Sequence, residues 1–199
     1  MAEIKNPRAP EAPVDPMFLD RWSPRAFSPE PIPEKTLASL FEAARWAPSC
    51  FGEQPWLFLY AAKKEDLELF RTLLVDGNRV WADRAPVLAF VFARRRFAHN
   101  NKPNRWYAFD SGAAWMSLAL EARKLGLYTH GMGGFHEDKV YPSLNVPRED
   151  YEAMAGIAIG RIGDASLLPP EVAAKESPNS RKPLAEVAYA GKLPGGGKH

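Results

Sequence analysis

Apolar and polar residues alternate along the chain in two patterns, one typical of helices and one typical of buried strands. From Leu37 to Ala44, apolar side chains recur at i, i+3, i+4 and i+7, which places them on one face of a helix. Similar spacing predicts helices over residues 17–22, 33–46, 64–74, 107–125 and 136–144. Short apolar runs predict strands over residues 56–60, 85–92 and 155–159, and another from residue 127. Helices that alternate with strands in this way predict an α/β or α+β domain in which helices cover a sheet.

Several segments lack this periodicity. Residues 1–16 carry four prolines and are predicted to form an extended or disordered arm. Gly77 and Asn78 are typical of a turn, residues 94–106 of a polar loop and residues 164–179 of a Pro-rich loop. The division expected from these patterns is an arm (1–16), one domain (17–183) and a C-terminal extension with a flexible tail (184–199).

Composition narrows the class of protein. The chain has 199 residues, of which 46% are hydrophobic and 25% charged, values typical of one globular domain. A formal net charge of +2 does not favour a nucleic acid or an anionic membrane as partner. No apolar run approaches the ~20 residues that span a bilayer, and the N-terminal residues lack the apolar segment of a signal peptide. Because Cys50 is the single cysteine, we expect no internal disulfide and no Cys-based metal site, and we predict a cytoplasmic protein.

The loop at residues 47–56, called the 47–56 loop below, is the strongest candidate for a binding site. It connects a predicted helix to a predicted core strand, and it carries Pro48, Ser49, Cys50 and Gly52. Scaffolds commonly place binding residues on such loops. An ordinary helix-to-strand connection would show the same local pattern, so the loop alone leaves both interpretations open.

Two other segments carry candidate binding residues. Arg21, Ser23 and Arg25 place two cations and a hydroxyl within five residues, and guanidinium groups suit phosphate because they offer a planar fork of donors. Gly131, with two further glycines at residues 133 and 134, would let the backbone approach a flat ligand closely. Either segment could also be a solvated turn without function.

Taken in order, these segments resemble the signature motifs of the nitroreductase family, flavoproteins that carry FMN. Residues 48–56 resemble P-S-x-x-N-x-Q-P-W, and residues 21–27 resemble R-x-S-x-R/K-x-F. An N-x-x-W pair at Asn78 and Trp81, a G-G-F turn ending at Phe135 and a basic segment at residues 180–183 follow in the family's order. The resemblance covers residues 21–183. It implies an α+β nitroreductase-like fold, with a central mixed sheet covered by helices, and a homodimer that binds FMN in its interface.

The resemblance also implies roles for individual residues. Arg21 and Arg181 would hold the FMN phosphate, Ser23 would contact the phosphate or ribityl chain, and Arg25 would lie beside N1 and O2 of the ring. The backbone N–H of Gly134 would face N5. The other implied cofactor contacts are Trp22, Pro48, Ser49, Cys50, Gly52, Asn78, Gly131 and Gly133. The family has no dedicated catalytic side chain, since the flavin carries the redox chemistry.

Three positions depart from the family pattern. Gly52 replaces an Asn that would reach the flavin edge, Trp81 stands where some members have a cation, and Asn179 stands where some have a Lys near the phosphate. These departures bear on flavin affinity and redox potential.

The function implied by the resemblance is reduction of electron-poor acceptors, such as nitroaromatics or quinones, by NAD(P)H in a ping-pong reaction. Two alternatives are a flavin storage or sensing protein and a specialised dehalogenating or dehydrogenating member of the family. An enzyme that uses Cys50 as nucleophile, with His130 as its base, is a further alternative. We hypothesise that the 94–106 loop helps to select the donor or acceptor, because Arg94, Arg95 and Arg96 could attract the phosphates of NAD(P)H; a solvated loop far from the flavin is an equal alternative. The helix with Trp115 and Leu118 is a candidate for the dimer interface.

Overall fold

Four strands form one open sheet in the computed structural model, which describes residues 6–193. The strands, listed in chain order, are β1 (Trp56–Ala61), β2 (Val87–Arg94), β3 (Tyr128–Met132) and β4 (Tyr151–Gly160). The helices are α1 (Pro16–Asp20), α2 (Glu34–Arg45), α3 (Lys64–Thr72), α4 (Asp76–Ala82), α5 (Tyr107–Lys124), α6 (Glu137–Ser143) and α7 (Pro170–Ala173). Short 3-10 turns occur at Cys50–Gly52, Ala165–Leu167 and Leu184–Glu186. The predicted α+β class, with helices covering a sheet, is confirmed.

The sheet is antiparallel throughout the described residues, so the expected mixed sheet is wrong. Its strand order is β1-β2-β4-β3, and each neighbouring pair runs antiparallel. Strands β2 and β3 run in the same direction and are joined through α5, as parallel neighbours often are. However, β4 lies between them, and therefore the two parallel strands never pair.

Strand β2 is buried on both faces, which explains its unbroken apolar sequence. On one face, Phe90 and Phe92 pack in a core with α3, α4 and α6. On the other, Val87 and Val91 pack in a second core with α2 and α5, which includes Leu118. The molecule therefore has three layers, with the sheet in the middle.

Two predicted irregular segments contain helices. Gly77 and Asn78, predicted as a turn, lie in α4. Their helix forms because Trp81 and Ala82 are buried in the first core, and the carbonyl of Val75 accepts from the N–H of Asn78. The Pro-rich segment 164–179 likewise contains a 3-10 turn and α7, where a proline occupies a first-turn position that has no need of its N–H.

The two ends of the described chain lie against each other. Residues 6–15 form neither helix nor strand, and Arg8 in this segment donates hydrogen bonds to Asn179. The first five residues of the predicted arm and the tail from residue 194 lie outside the described residues. Within residues 6–193, no helix is both long and apolar enough to cross a membrane. The domain boundaries at residues 16 and 183 remain predictions.

Candidate functional site

Arg21 and Arg181 are distant in sequence but close in the structure. Arg21 directly follows α1, and its side chain is half-buried. Burial first, and then the positive charge of Arg181, lower the pKa of Arg21. Arg8 lies with them, because it donates to the carbonyl of Arg21 and, like Arg181, to Oδ1 of Asn179. Burial and then the charges of Arg181 and Arg21 lower the pKa of Arg8. We call these three residues the arginine cluster. Within residues 6–193 no carboxylate forms an ion pair with any of them, so the cluster presents charge that an anion would neutralise.

The residues that follow Arg21 are held against the edge of the sheet. Trp22 is buried and meets the ring of Tyr128 edge-on, with ring centroids 6.2 Å apart. Ser23 beside it is half-buried. His130, on β3, donates from Nδ1 to the carbonyl oxygen of Pro24 over 2.8 Å. These contacts fix the backbone between the arginine cluster and the sheet.

Arg25 is positioned through its backbone. The carboxylate of Glu176 accepts hydrogen bonds from the N–H groups of Arg25 and Ala26, at 2.9 and 2.8 Å. The Arg25 cation also lies near His130. Burial, with a smaller contribution from that cation, lowers the pKa of His130 to about 4. His130 is therefore neutral at neutral pH, and its Nδ1 carries the proton that the Pro24 carbonyl accepts.

Asn78 and Gly134 meet where α4 faces the end of β3. The side-chain nitrogen of Asn78 donates to the carbonyl of Gly134 over 2.8 Å, and the N–H of Val75 donates to the same carbonyl over 3.3 Å. A Cβ atom on Gly134 would lie 2.8 Å from that Asn78 nitrogen, so a larger residue here would displace the Asn78 side chain from its hydrogen bond. The Gly134 N–H, in contrast, donates no hydrogen bond within the described chain. This donor is therefore available to a ligand.

The two neighbouring glycines face different surroundings. A Cβ on Gly131 would lie 2.9 Å from the indole ring of Trp115 on α5, so close packing inside the chain requires this glycine. Gly133 is exposed, and a Cβ there would meet nothing within 4 Å. The backbone around Gly133 is thus the part of this turn that is open to a ligand.

The 47–56 loop is attached to the start of α5. The N–H of Cys50 donates to the buried carboxylate of Asp110 over 3.1 Å, and Ser49 Oγ accepts from the N–H of Gln54 over 3.0 Å. Pro48 is exposed, and Ser49 and Cys50 are half-buried. Phe51 and Gly52 both have left-handed backbone angles, with φ of 55° and 65°, and a Cβ on Gly52 would meet nothing within 4 Å.

Hydrogen bonds connect most of the predicted site residues, but they do not connect all of them. Through His130 and Pro24, β3 and its glycines are joined to the segment that begins with the arginine cluster. The 47–56 loop is held by Asp110 instead. No hydrogen bond joins Cys50 to His130 in the part of the chain that the structure describes, and His130 packs on Trp81 with ring centroids 4.5 Å apart. This arrangement gives the Cys-nucleophile alternative no support.

The 94–106 loop packs on the 47–56 loop. The carboxylate of Glu53 accepts from the N–H of Ala98 and lies 3.4 Å from Nδ1 of His99. The rings of Phe51 and Phe97 meet edge-on, with centroids 6.0 Å apart. The 94–106 loop thus contacts the 47–56 loop, and its role in selecting substrates stays a prediction.

Not all cations of the 94–106 loop are available to a ligand. Arg95 forms an ion pair with Glu152 on β4. Arg96 donates to the carbonyl of Asn101 within the loop over 3.0 Å. Arg95 and Arg96 are therefore held by other residues of the chain, which makes joint action of Arg94, Arg95 and Arg96 on a phosphate less favourable.

Exposed aromatic side chains surround the 47–56 loop. The exposed fractions are 73% for Trp46, 86% for Phe51 and 76% for Phe109. Large apolar patches of this kind mark surfaces that bind partners. Leu118 is fully buried in the second core of its own chain and therefore cannot contact a partner subunit directly. Phe109 lies on the same helix, α5, and is exposed, so a dimer interface on this helix stays a prediction.

Comparison with known proteins identifies the family. The model of the nitroreductase family matches residues 19–76 and 61–161, which together span most of the chain. The chain belongs to the nitroreductase family. A crystal structure described as an oxidoreductase containing FMN superposes with a TM-score of 0.91 and is 46% identical, covering 98% of this chain and 100% of that one. A nitroreductase family protein from Streptococcus pneumoniae has the same fold at 19% identity, with a TM-score of 0.71 and coverage of 87% and 98%.

A curated relative from Streptomyces coelicolor is provisionally named NADH dehydrogenase/NAD(P)H nitroreductase. Its sequence is 34% identical to the present chain over 98 residues, which cover 49% of this chain and 48% of the relative. The match therefore spans about half the length of that relative.

Three residues of the site were not found from the sequence: Arg8, Asp110 and Glu176. Asp110 had a usable signal, because it lies four residues before Ala114 and eight before Leu118, on the buried face of α5. Arg8 and Glu176 lie in segments without periodicity. Only the folded chain brings them to the residues that they contact.

Proposed function

We propose that this member of the nitroreductase family binds FMN and uses NAD(P)H to reduce electron-poor acceptors in a ping-pong reaction. The observation that carries the proposal is the arginine cluster, in which hydrogen bonds through Arg8 and Asn179 join Arg21 to Arg181 and no carboxylate within residues 6–193 pairs with either cation. Arg21 is half-buried while Arg181 is exposed, and like charges held this close are unfavourable unless an anion joins them. The phosphate of FMN is such an anion, and the similar oxidoreductase at 46% identity contains FMN.

The other predicted residues suit the remaining parts of FMN. Arg25, fixed by Glu176, would place its cation beside N1 and O2, where reduction leaves negative charge. Two hydrogen bonds hold the carbonyl of Gly134, and the N–H of this residue, which donates to no acceptor within the described residues, would donate to N5. Ser23 would contact the phosphate or ribityl chain, and Asn78 the pyrimidine edge.

The 47–56 loop would cover one side of the ring, through Pro48, Ser49, Cys50 and Gly52. Because this loop is held by Asp110, apart from the arginine cluster, its contribution would come from the partner subunit of a homodimer or from the same chain after closure. The exposed rings of Phe51 and Phe109 favour the homodimer. Light scattering of the purified protein tests this point, and a monomer that holds stoichiometric FMN would contradict it.

Bound FMN would supply the two-electron chemistry, since its N5 atom accepts and donates hydride. The chain's own task is to hold and orient reactants. Arg25 would stabilise negative charge, and the N–H of Gly134 would fix the position of the reacting atom. If the 47–56 loop covers the ring as proposed, the open backbone at Gly133 and the aromatic rings of Phe51 and Phe97 would provide a surface for a planar donor and then a planar acceptor.

The test begins with the visible spectrum of the purified protein and with titration of the apoprotein with FMN. Rapid mixing with NADH and, separately, with NADPH then measures loss of the oxidised flavin band, and a panel of nitroaromatics and quinones measures its return. We expect stoichiometric FMN and complete cycles. A colourless protein that takes up no FMN contradicts the proposal, and bound FMN that neither nucleotide reduces favours a storage or sensing role.

A further inference from the structure

We propose that Arg8, in the N-terminal arm, is a positioning residue that holds Arg21 and Arg181 together as one phosphate site. The inference rests on the proposed function and goes beyond it, because no motif of the sequence includes Arg8. Arg8 is half-buried, although its neighbours on both sides are exposed.

The guanidinium group of Arg8 is almost fully used by oxygen atoms of the chain. Its Nη1 donates to the carbonyls of Leu19, at 2.9 Å, and Arg21, at 2.7 Å. Its Nε donates to the carbonyl of Asn179 over 2.7 Å, and its Nη2 donates to Oδ1 of Asn179 over 2.8 Å. An arginine has five N–H donors, and four of them are accounted for here. Arg8 therefore has little capacity left to hold a phosphate directly.

The acceptors of Arg8 belong to the two segments that carry the presumed phosphate ligands. One set lies at the end of α1, where carbonyl groups lack helical partners and Arg21 follows directly. The other lies at Asn179, whose Oδ1 also accepts from Nη1 of Arg181 over 2.8 Å. A continuous series of hydrogen bonds thus runs from Arg21 through Arg8 and Asn179 to Arg181.

The same contacts give Asn179 a role. In this position, where some family members have a Lys, the chain has a neutral side chain that accepts from two arginines. All four acceptors of Arg8 are uncharged, so Arg8 keeps its full positive charge beside the phosphate site. A cation from the arm thereby stands in for the missing Lys while it fixes the geometry.

Lysine cannot perform this task, which makes Arg8→Lys the informative variant. It keeps the charge, but its single ammonium group cannot reproduce a planar fork that reaches two separate segments. Arg8→Gln removes both the charge and the fork. Arg148→Gln is a matched control, because it removes an exposed cation that pairs with Glu137, in a region without predicted cofactor contacts.

The experiment measures dissociation constants for FMN and for riboflavin, which lacks the phosphate, by flavin fluorescence with each apoprotein. For Arg8→Lys and Arg8→Gln we expect the FMN constant to rise about tenfold, as loss of one well-placed contact would cause, while the riboflavin constant stays within twofold. Arg148→Gln should match the wild type for both ligands.

A second measurement does not depend on the flavin. Hydrogen exchange of the apoprotein should become faster at residues 19–22 and 179–182 in both Arg8 variants, because the two segments lose their connection. Equal weakening of FMN and riboflavin, unchanged FMN binding, or unchanged exchange in these segments would each overturn the inference. A wild-type protein that binds no FMN would overturn the proposed function itself, and the two failures are therefore distinguishable.

Discussion

The arginine cluster and the 47–56 loop are built from different kinds of contact. In the arginine cluster, side chains from three segments are held by hydrogen bonds between residues as distant as Arg8 and Asn179. The 47–56 loop is fixed by local turn bonds, by the buried carboxylate of Asp110 and by contacts with the 94–106 loop. The first region offers charge to an anion, and the second offers exposed rings, such as Phe51, to a planar group or a partner.

This difference suggests that affinity for the flavin has two separable parts. The arginine cluster should act on the phosphate alone, and the 47–56 loop should act on the ring. The ratio of the FMN and riboflavin dissociation constants therefore reports on the first region, whereas a change common to both ligands reports on the second.

The largest effect is expected for Arg21→Ala and Arg181→Ala. Each removes a charged donor to the phosphate, worth about 1.5–3 kcal/mol, so the FMN dissociation constant should rise ~10- to 100-fold. The riboflavin constant should change little. Calorimetric titration with both ligands measures the two constants. Unchanged FMN affinity in both variants would mean that the phosphate lies elsewhere.

The next effect concerns His130, which attaches β3 to the segment between the two regions. Its folded-state pKa of about 4 lies below its ordinary value of 6.5. Between these values the unfolded chain binds a proton that the folded chain does not, so the free energy of unfolding falls as the pH falls from 6.5 towards 4. Titration of this single group lowers the free energy of unfolding by at most about 3 kcal/mol.

His130→Asn keeps a donor near the position of Nδ1 but does not titrate in this range. The stability difference between wild type and variant should therefore shrink as the pH is lowered from 7 to 4.5, while contributions of other groups cancel. Urea unfolding at a series of pH values measures this difference. A difference that is constant with pH would show that His130 titrates normally in the fold.

Asp110→Ala should weaken the attachment of the 47–56 loop. The N–H of Cys50 would lose its acceptor, at a cost of about 1–3 kcal/mol in the free energy of unfolding. FMN and riboflavin affinities should fall together, because the ring side is affected and the phosphate side is not. Asp110→Asn, which keeps an acceptor oxygen, is the matched control and should lie closer to wild type. Selective loss of FMN binding would break the proposed separation.

Gly52→Asn, which restores the residue of the family motif, should produce a small gain in flavin affinity. The space beside Gly52 is open, and Asn tolerates a φ of 65° better than most residues do. Both flavins should bind a few-fold tighter, by about 0.5–1 kcal/mol for one neutral hydrogen bond. Weaker binding of both would show that the loop needs the freedom of glycine.

Cys50→Ala should have the least effect. The contact of Cys50 with Asp110 uses the backbone N–H, which alanine retains. Activity with NAD(P)H and both flavin constants should stay within about twofold of wild type, a free energy change of ~0.4 kcal/mol. Complete loss of activity with FMN still bound would revive the Cys-nucleophile alternative.

Sequence patterns predicted the parts of the fold that have a strong period. The helix predicted at residues 107–125 has one apolar face, and the strand predicted at residues 85–92 has two. In the structure they are α5 and β2, with ends within a few residues of the predicted ones. The helix α4 was missed because Gly77 and Asn78 favour a turn locally, while burial of Trp81 decides the outcome. The sheet was expected to be mixed because the order of helices and strands does not reveal that β4 inserts between β2 and β3.

For the candidate site, motifs located the segments but not the contacts that hold them. The pairing of Asn78 with Gly134, and the attachment of Arg25 by Glu176, depend on distances that only the folded chain defines. Irregular, Pro-rich segments carry no period, and therefore nothing in the sequence around Arg8 or Glu176 indicates a partner. The domain boundaries and the individual roles of the site residues remain predictions.

The position of β4 in the sheet has a consequence for how the protein forms during synthesis. β2 pairs with β4 along its whole length, yet β4 ends at Gly160, long after β2 has left the ribosome. Until then, the apolar segment of β2 has a free edge of the kind that pairs with other chains. A nascent chain arrested before residue 151 should therefore aggregate or recruit a chaperone, and one arrested with residue 160 outside the exit tunnel should resist proteolysis.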